Sequence, residues 1–364
     1  MNHRVQRLRQ RLAADGLDAI LVSNPDNRRY LSGFTGSSGY LLVSQEHALL
    51  ATDFRYWQQV GLQSPDFELV KVTQGDFASW LAPLVQRVAP KTLAFESHHV
   101  TYTVHESLLA MSAKLPEGQR PKLIPVGELV EDLRIYKDEQ ELAIINRAVE
   151  IADKAYTDVI AALVPGQTER QIAWKLEQSM REQGADGPSF DIIVAAGANA
   201  ALPHHHPTDR DVRQGEMLLI DMGARLQGYC SDLSRTVWVG NTPDDTYRKV
   251  YDTVLGAQET AIAAVQAGMS GHDCDRLARE VIEKAGYGEN FGHGTGHGVG
   301  LAIHENPRVS RNQTNELKDG MIFTIEPGIY LPGWGGVRIE DIVVLEHGKA
   351  RNLTRSSKAD LAPV

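Results

Sequence analysis

The sequence predicts an α/β (α+β) protein of two domains, the second built from two similar halves. Three observations carry this. Strand-like runs alternate with helical patterns in the first third of the chain, a long amphipathic helix opens the rest, and a pattern of glycines and helix caps then recurs.

In the first domain Val5, Leu8 and Leu12 recur at helical spacing, Gly16 can end that helix, and Leu17-Asp-Ala-Ile-Leu-Val22 follows as a buried strand. Further strand-like runs are Tyr40–Val43, Ala48–Ala51, Phe67–Val72, Thr92–Phe95 and Lys122–Val126, separated by turn-rich stretches. This domain is expected to end between Val126 and Lys137, which gives domains of 1–130 and 131–364.

The second domain opens on a helix with the apolar stripe Ile144, Ile145, Ala148, Ile151, Ala152, Ala155, Val159 and Leu163, stopped by Pro165-Gly166. Thr168-Glu-Arg-Gln171 then reads as a capping box, and its helix ends near Gly184. About 102 residues later the order returns: a helix ending at Gly268, a capping box at Ser270-Gly-His-Asp273, and a helix running to Gly286. Two duplicated halves, each a helix pair followed by strands, account for this.

Composition excludes several function classes. The chain has 364 residues, 42% hydrophobic and 23% charged, which suits a globular protein with a large core. A net charge of −10 argues against nucleic acid or an anionic membrane as partner. With no apolar leader, no run long enough to span a bilayer, and Cys230 and Cys274 as the two cysteines, a cytoplasmic protein without a disulfide scaffold is expected. Cys230 reads as a packing residue.

Each half carries a hairpin with two carboxylates. Leu218–Asp221 and Tyr229–Asp232 flank a turn at Arg225–Gly228; a turn centred on Leu226 and Gln227 would set Asp221 opposite Asp232. Ile322–Glu326 and Val337–Glu340 flank a loop near Gly333, which sets Glu326 opposite Glu340. Like charges opposed in a sheet are destabilising. At roughly 5 Å and an effective dielectric of about 20, each pair repels by about 3 kcal/mol. A lone Asp or Glu at a strand end ordinarily makes a surface salt bridge, but two opposed pairs in repeated halves require protonation or cations. Oxygen-rich donors with one imidazole suit Mn²⁺, Co²⁺ or Zn²⁺, and bridging carboxylates allow an ion pair.

Phe291-Gly-His-Gly-Thr-Gly-His-Gly-Val-Gly300 alternates glycine with other residues and runs on to His304-Glu305. On an extended chain His293, Thr295, His297 and Val299 would share one face. The glycine spacing is not that of a dinucleotide fingerprint, and neither GxSxG nor a P-loop occurs. Two histidines beside four carboxylates favour ligand or acid–base roles.

At this point the residues resemble a known family. Asp221, Asp232, His297, Glu326 and Glu340 match the five metal ligands of the pita-bread metallopeptidases, which include methionine aminopeptidase, prolidase, aminopeptidase P and the metal-free relative creatinase. The resemblance spans roughly 138–350 and implies a creatinase-like N-terminal α/β domain before a pita-bread domain of pseudo-twofold duplicated halves. His293, Tyr330 and Arg338 are similar to positions of the Xaa-Pro-cleaving branch. In the N-terminal domain, Asn27–Gly39 and Thr52–Tyr56 resemble aminopeptidase P more than prolidase.

The resemblance therefore implies a dinuclear peptidase of the aminopeptidase P type, cutting the Xaa-Pro bond at the N-terminus of short peptides. Its alternative is an Xaa-Pro dipeptidase, and a non-catalytic pita-bread binding protein stands behind both. The implied cofactors are two divalent ions, Mn²⁺ before Co²⁺ or Zn²⁺; the implied partners are short proline-containing peptides and a second copy in a homodimer. Glu326 is the implied general base and proton donor. His204 and His304 are implied to bind substrate and its oxyanion, His293 to line the proline pocket, and Tyr330 and Arg338 to orient ligands or shuttle protons. His205 and His206 are expected to be solvated loop residues, and the N-terminal domain to narrow the cleft to short substrates.

Overall fold

The structure is a computed structural model and describes residues 2–73 and 75–362. The chain divides into two compact units, Met1–Arg134 and Ile135–Val364. In the first, the Asn2 side chain accepts from the N–H groups of Arg4 and Val5 and starts the helix His3–Ala14, which buries Val5, Leu8 and Leu12. The strand-like runs become one six-stranded sheet, ordered Glu68–Lys71, Ala48–Thr52, Tyr40–Ser44, Ala19–Val22, Thr92–Glu96 and Lys122–Val126. Strands joined through the helices Trp57–Gln63 and Tyr102–Lys114 pair in parallel, and those joined by the short turn after Ser44 pair antiparallel. Ala19–Val22 pairs antiparallel with Tyr40–Ser44 although the helix Pro25–Ser32 lies between them.

The second unit repeats its grammar in atomic detail. Thr168 and Gln171 complete a reciprocal capping box at the head of Glu169–Glu182, and Ser270 and Asp273 do the same for Gly271–Lys284. The Gly166 N–H donates to Val212 O at 2.8 Å, and the Gly268 N–H donates to Leu317 O at 2.8 Å. In the first half, Ile151, Ala155, Ile172 and Leu176 of the helices Glu139–Ala161 and Glu169–Glu182 pack with Leu218, Ile220 and Val237 of a three-stranded sheet. In the second, Val250, Val254, Ala278 and Ile282 of Asp245–Ala264 and Gly271–Lys284 pack with Phe323, Ile325 and Val343 of a five-stranded sheet. Each of the valine, leucine, isoleucine and phenylalanine side chains contributes about 1.5–3 kcal/mol by leaving water. The mixed α/β fold with duplicated halves is the one the sequence predicts. No helix among the described residues is long and apolar enough to cross a membrane.

The two carboxylate hairpins differ in how well residue counting locates them. In the second, Ile325 pairs with Asp341 and Gly328 with Arg338, which is the counted register on both sides of Glu326 and Glu340. In the first, Asp221 pairs with Ser234 and not with Asp232. Leu226 pairs with Tyr229, so the turn is centred one residue later, on Gln227 at φ 45° and Gly228 at φ 77°. Positive φ at both central residues makes the tight connection whose twist suits a hairpin, and glycine takes the second position without strain. The resulting slip of two residues preserves side-chain alternation, so Asp221 and Asp232 still line one cavity.

A buried polar network braces the second hairpin. Asp341 accepts from Arg235 Nη2 at 2.7 Å, Gln258 Nε2 at 2.8 Å, Asn352 Nδ2 at 2.7 Å and Lys358 Nζ at 2.8 Å. Burial opposes its charge, but Arg235 and Lys358 outweigh that and hold its pKa below the ordinary value. Asp341→Ala leaves Arg235 buried and unpaired, so a loss of about 3–5 kcal/mol is expected in urea unfolding. Because the folded pKa is lowered, this stabilisation is present above the unfolded pKa, about 3.9, and is lost as pH falls through the folded one. The Asp341→Ala protein should therefore lack that part of the acid destabilisation.

Candidate metal centre and active site

The second unit gathers the site residues from both halves. Asp221 lies on the strand Glu216–Met222 and Asp232 just before Leu233–Val239. His297 is central in the short strand Gly296–Gly298, Glu326 follows Ile322–Ile325, and Glu340 sits between Gly335–Arg338 and Asp341–Glu346. The halves are stitched together at this level. The Glu340 N–H donates to Ser234 O at 3.0 Å, and the Arg338 N–H donates to Thr236 Oγ1 at 3.1 Å. All five residues, together with His204, His293, His304, Tyr330 and Arg338, line one cavity of about 1130 Å³, roomy enough for a short peptide.

Ligand atoms of Asp232, His297 and Glu340 lie within 4.8 Å of one another, and all three residues are buried. His297 Nε2 is 3.2 Å from Glu326 Oε1 and 3.6 Å from Asp232 Oδ2. Its Nδ1 is 3.1 Å from Gly298 O, a contact that puts the proton on Nδ1 and leaves the Nε2 lone pair for the cluster. Asp221 accepts from Arg338 Nη2 at 2.6 Å through Oδ2, while its buried Oδ1 has no hydrogen-bond partner.

The electrostatics follow from this crowding. Burial, then Glu340, Asp221 and Glu326, push Asp232 well above the usual carboxylate range, and burial, Glu326 and Asp221 do the same to Glu340. Asp221 is raised by burial, with Arg338 countering. At Glu326 burial is outweighed by the hydrogen bond and charge that His297 supplies when Nε2 is protonated and by His293 and Arg338, which leave its pKa at about 2; a cation at the Nε2 lone pair would take that proton's place. Carboxylates that can ionise only against burial and one another, an orphaned buried oxygen and an imidazole with its free nitrogen turned inward together fit divalent cations.

A hydrogen-bonded chain stands behind the ligands. Arg338 donates through Nη1 to Tyr330 Oη at 2.7 Å, and Tyr330 Oη is 2.9 Å from His293 Nε2. Since His293 Nδ1 faces Gly294 O at 2.8 Å, its proton belongs on Nδ1 and Tyr330 donates to Nε2. Burial lowers the pKa of His293 and raises that of Tyr330 to about 12, so both stay neutral and the chain keeps its direction near neutral pH. His304 is exposed at the cavity wall, its ring centroid 4.4 Å from that of His297. Desolvation, His297 and Arg308 hold its pKa at about 4. His204 is exposed on the segment after the 3₁₀ turn Gly197–Ala201.

The glycine-rich run and His205 depart from the sequence reading, and Ser234, Thr324 and Arg308 escaped it. Only Gly296–Gly298 of the glycine-rich run is strand, and Thr295 turns into the fold. Its Oγ1 donates to Asp275 Oδ1 at 2.8 Å, and Arg279 donates to Phe291 O at 2.9 Å and His293 O at 2.7 Å. This Asp275–Arg279 clamp overrides the alternation expected of an extended chain. Gly296 lies so close to the neighbouring strand that a Cβ there would meet Thr324 O at 1.9 Å. His205 is not simply solvated: its Nε2 is 2.9 Å from buried Glu169 Oε2, whereas His206 is exposed as expected.

Ser234 and Thr324 were not singled out, yet both touch proposed ligands. Ser234 Oγ accepts from Arg338 Nε at 2.9 Å and donates to Glu340 Oε2 at 2.7 Å. Thr324 Oγ1 accepts from the His297 N–H at 3.1 Å and donates to Glu326 Oε1 at 3.2 Å. Each lies two residues from an acid along the chain, and that spacing was the available signal. Arg308 was also missed. It pairs with His297 across the antiparallel strands and lines the cavity, exposed.

Comparison with known proteins agrees with this geometry. Residues 143–347 match the family model described as metallopeptidase family M24, and residues 4–136 match the creatinase/prolidase N-terminal domain. The Xaa-Pro dipeptidase of Pyrococcus horikoshii is 36% identical over 98% of each chain. Among solved structures, an Xaa-Pro dipeptidase from Bacillus anthracis superposes with a TM-score of 0.94 at 38% identity, covering 99% of both chains. The X-Pro aminopeptidase of Thermotoga maritima gives 0.89 at 38% identity, covering 98% of this chain and 99% of its own.

Proposed function

The chain belongs to metallopeptidase family M24, and from that premise we propose that it is an Xaa-Pro dipeptidase acting through Asp221, Asp232, His297, Glu326 and Glu340 as ligands of two divalent ions. The observation that carries the reading is the convergence of these five side chains at one cavity wall with Arg308 beside them. Of the two arginines lining the cavity, Arg338 is committed to Asp221 and Tyr330, while Arg308 is exposed. A dipeptide ending in proline places its free carboxylate one residue from the scissile carbonyl, within the reach of a cation on the strand facing His297. Two of the three relatives named above are dipeptidases, which supports this choice over the aminopeptidase P type that the N-terminal motifs favour. The aminopeptidase reading is supported by those motifs and by the equal identity to the T. maritima enzyme.

The donor set of carboxylate oxygens and one imidazole suits Mn²⁺, with Co²⁺ or Zn²⁺ as substitutes. Ions there would supply an activated water and polarise the scissile carbonyl. The rest is work for the protein's own groups. Glu326 takes the water's proton on its carboxylate and returns it to the proline nitrogen, which has no hydrogen of its own. His304, neutral at pH 7, donates an N–H to the developing oxyanion, and His204 assists from the opposite segment. The Arg338–Tyr330–His293 chain fixes Asp221 and turns His293 toward the wall where a proline ring would rest. The family resemblance supports a cytoplasmic homodimer acting on short proline-containing peptides.

Assays of Gly-Pro against Ala-Pro-Ala test the proposal. Faster hydrolysis of Gly-Pro is expected; preferential release of alanine from Ala-Pro-Ala would restore the aminopeptidase reading. Arg308→Ala should raise KM for Gly-Pro by roughly 10–100-fold, the worth of a charged hydrogen bond, with kcat little changed. An unaltered KM would remove Arg308 as the carboxylate anchor.

A further inference from the structure

We propose that Glu169 is a positioning residue that fixes His204 over the cavity by closing both ends of the segment that carries it; this rests on the peptidase reading above. Glu169 is the first residue of its helix and is completely buried. It is not needed as a cap, because Thr168 and Gln171 already satisfy the helix start. Its two oxygens divide between two stretches of chain instead. Oε1 accepts from the Ala196 N–H at 2.8 Å and from Asn199 Nδ2 at 2.8 Å. Oε2 accepts from the Thr208 N–H at 3.0 Å and Thr208 Oγ1 at 2.7 Å, and it lies 2.9 Å from His205 Nε2, which donates to it.

A carboxylate offers about four lone-pair sites, so five donors saturate it. Such a group is buried without penalty only while every partner stays in place. The segment between the two grips carries Pro203 and His204, and both line the cavity. Two backbone bonds reinforce the grip: the Glu169 N–H donates to Arg210 O at 3.1 Å and the Arg170 N–H to Thr208 O at 3.1 Å. An exposed side chain on a surface segment is ordinarily mobile. Here the residue next to His204 is tied to a buried anion, which confines the His204 backbone. Hydrogen bonding outweighs burial and holds the Glu169 pKa below its ordinary value, so the anion persists near neutral pH.

The experiment compares Glu169→Gln, His205→Ala and Thr208→Val in the metal-loaded full chain, each with and without His204→Ala. Misplacing a reacting contact by about 1 Å costs on the order of 100-fold. A fall in kcat/KM for Gly-Pro of roughly 10–100-fold is expected for Glu169→Gln and His205→Ala, with metal content unchanged. In the His204→Ala background the same changes should have no further effect, because they act through that side chain. Equal losses in both backgrounds, or wild-type kcat/KM in folded Glu169→Gln, would overturn the proposal. Should Glu169→Gln not fold, His205→Ala and Thr208→Val decide by the same criterion. Hydrogen exchange at the Ala196 and Thr208 amides gives a readout free of catalysis. It should quicken in the variants, and unchanged exchange also overturns the clamp. Wild-type protein that cleaves neither Gly-Pro nor Ala-Pro-Ala would refute the peptidase reading, while exchange would still report on the clamp.

Discussion

Replacing Asp232 by alanine is expected to remove bound metal and peptidase activity together. Asp232 is buried beside His297 and Glu340 and faces the charges of Glu340, Asp221 and Glu326. Losing an outer-shell partner typically costs 10–100-fold in metal affinity or activity, and loss of a ligand should exceed that. The fold should survive. In metal-free protein each close carboxylate pair opposes folding by up to about 3 kcal/mol at roughly 5 Å, so the chelated variant should melt no lower than chelated wild type. In the loaded state the order reverses, because ions bound to the native form stabilise it by mass action. Metal analysis with paired melting curves reads both effects. A variant that keeps its full metal content and wild-type turnover would sink the ligand assignment.

The second large effect is on proton transfer. Glu326→Gln preserves shape and can still accept from Thr324 Oγ1, but it cannot take a proton from water. Loss of a positioned general base costs about 10²–10⁴-fold, so kcat should fall by that range with KM within a few-fold of wild type. Because Glu326 also stands among the proposed ligands, metal content must be measured on the same preparation. Metal retained with kcat lost assigns the base role; metal and kcat lost together assign a ligand role alone; undiminished kcat removes Glu326 from the mechanism.

How far the sequence reaches is clearest at the two hairpins. Strand period and turn chemistry are local, so Glu326 and Glu340 were placed in the observed register by counting. At the first hairpin the same counting failed by two residues, because the turn settled on Gln227-Gly228 and not on Leu226-Gln227. The capping boxes at Thr168 and Ser270 were legible for the same local reason, and they exposed the duplication. Contacts set by tertiary packing were not legible. Nothing near Thr295 in sequence announces Asp275 and Arg279, so the irregular path of His293–Thr295 could not be read. Glu169 looked like part of a capping box because its partners Ala196, Asn199, His205 and Thr208 arrive from another segment. Arg308 escaped because its meaning comes from pairing with His297 across two strands.

The proposed peptidase site is built for two ions. Its most direct test is the rate of Gly-Pro hydrolysis as Mn²⁺ is returned stepwise to thoroughly chelated protein. Activity absent at the start and saturating at two equivalents per chain is the predicted result. Full hydrolysis by the chelated protein, or saturation at one equivalent, would contradict it.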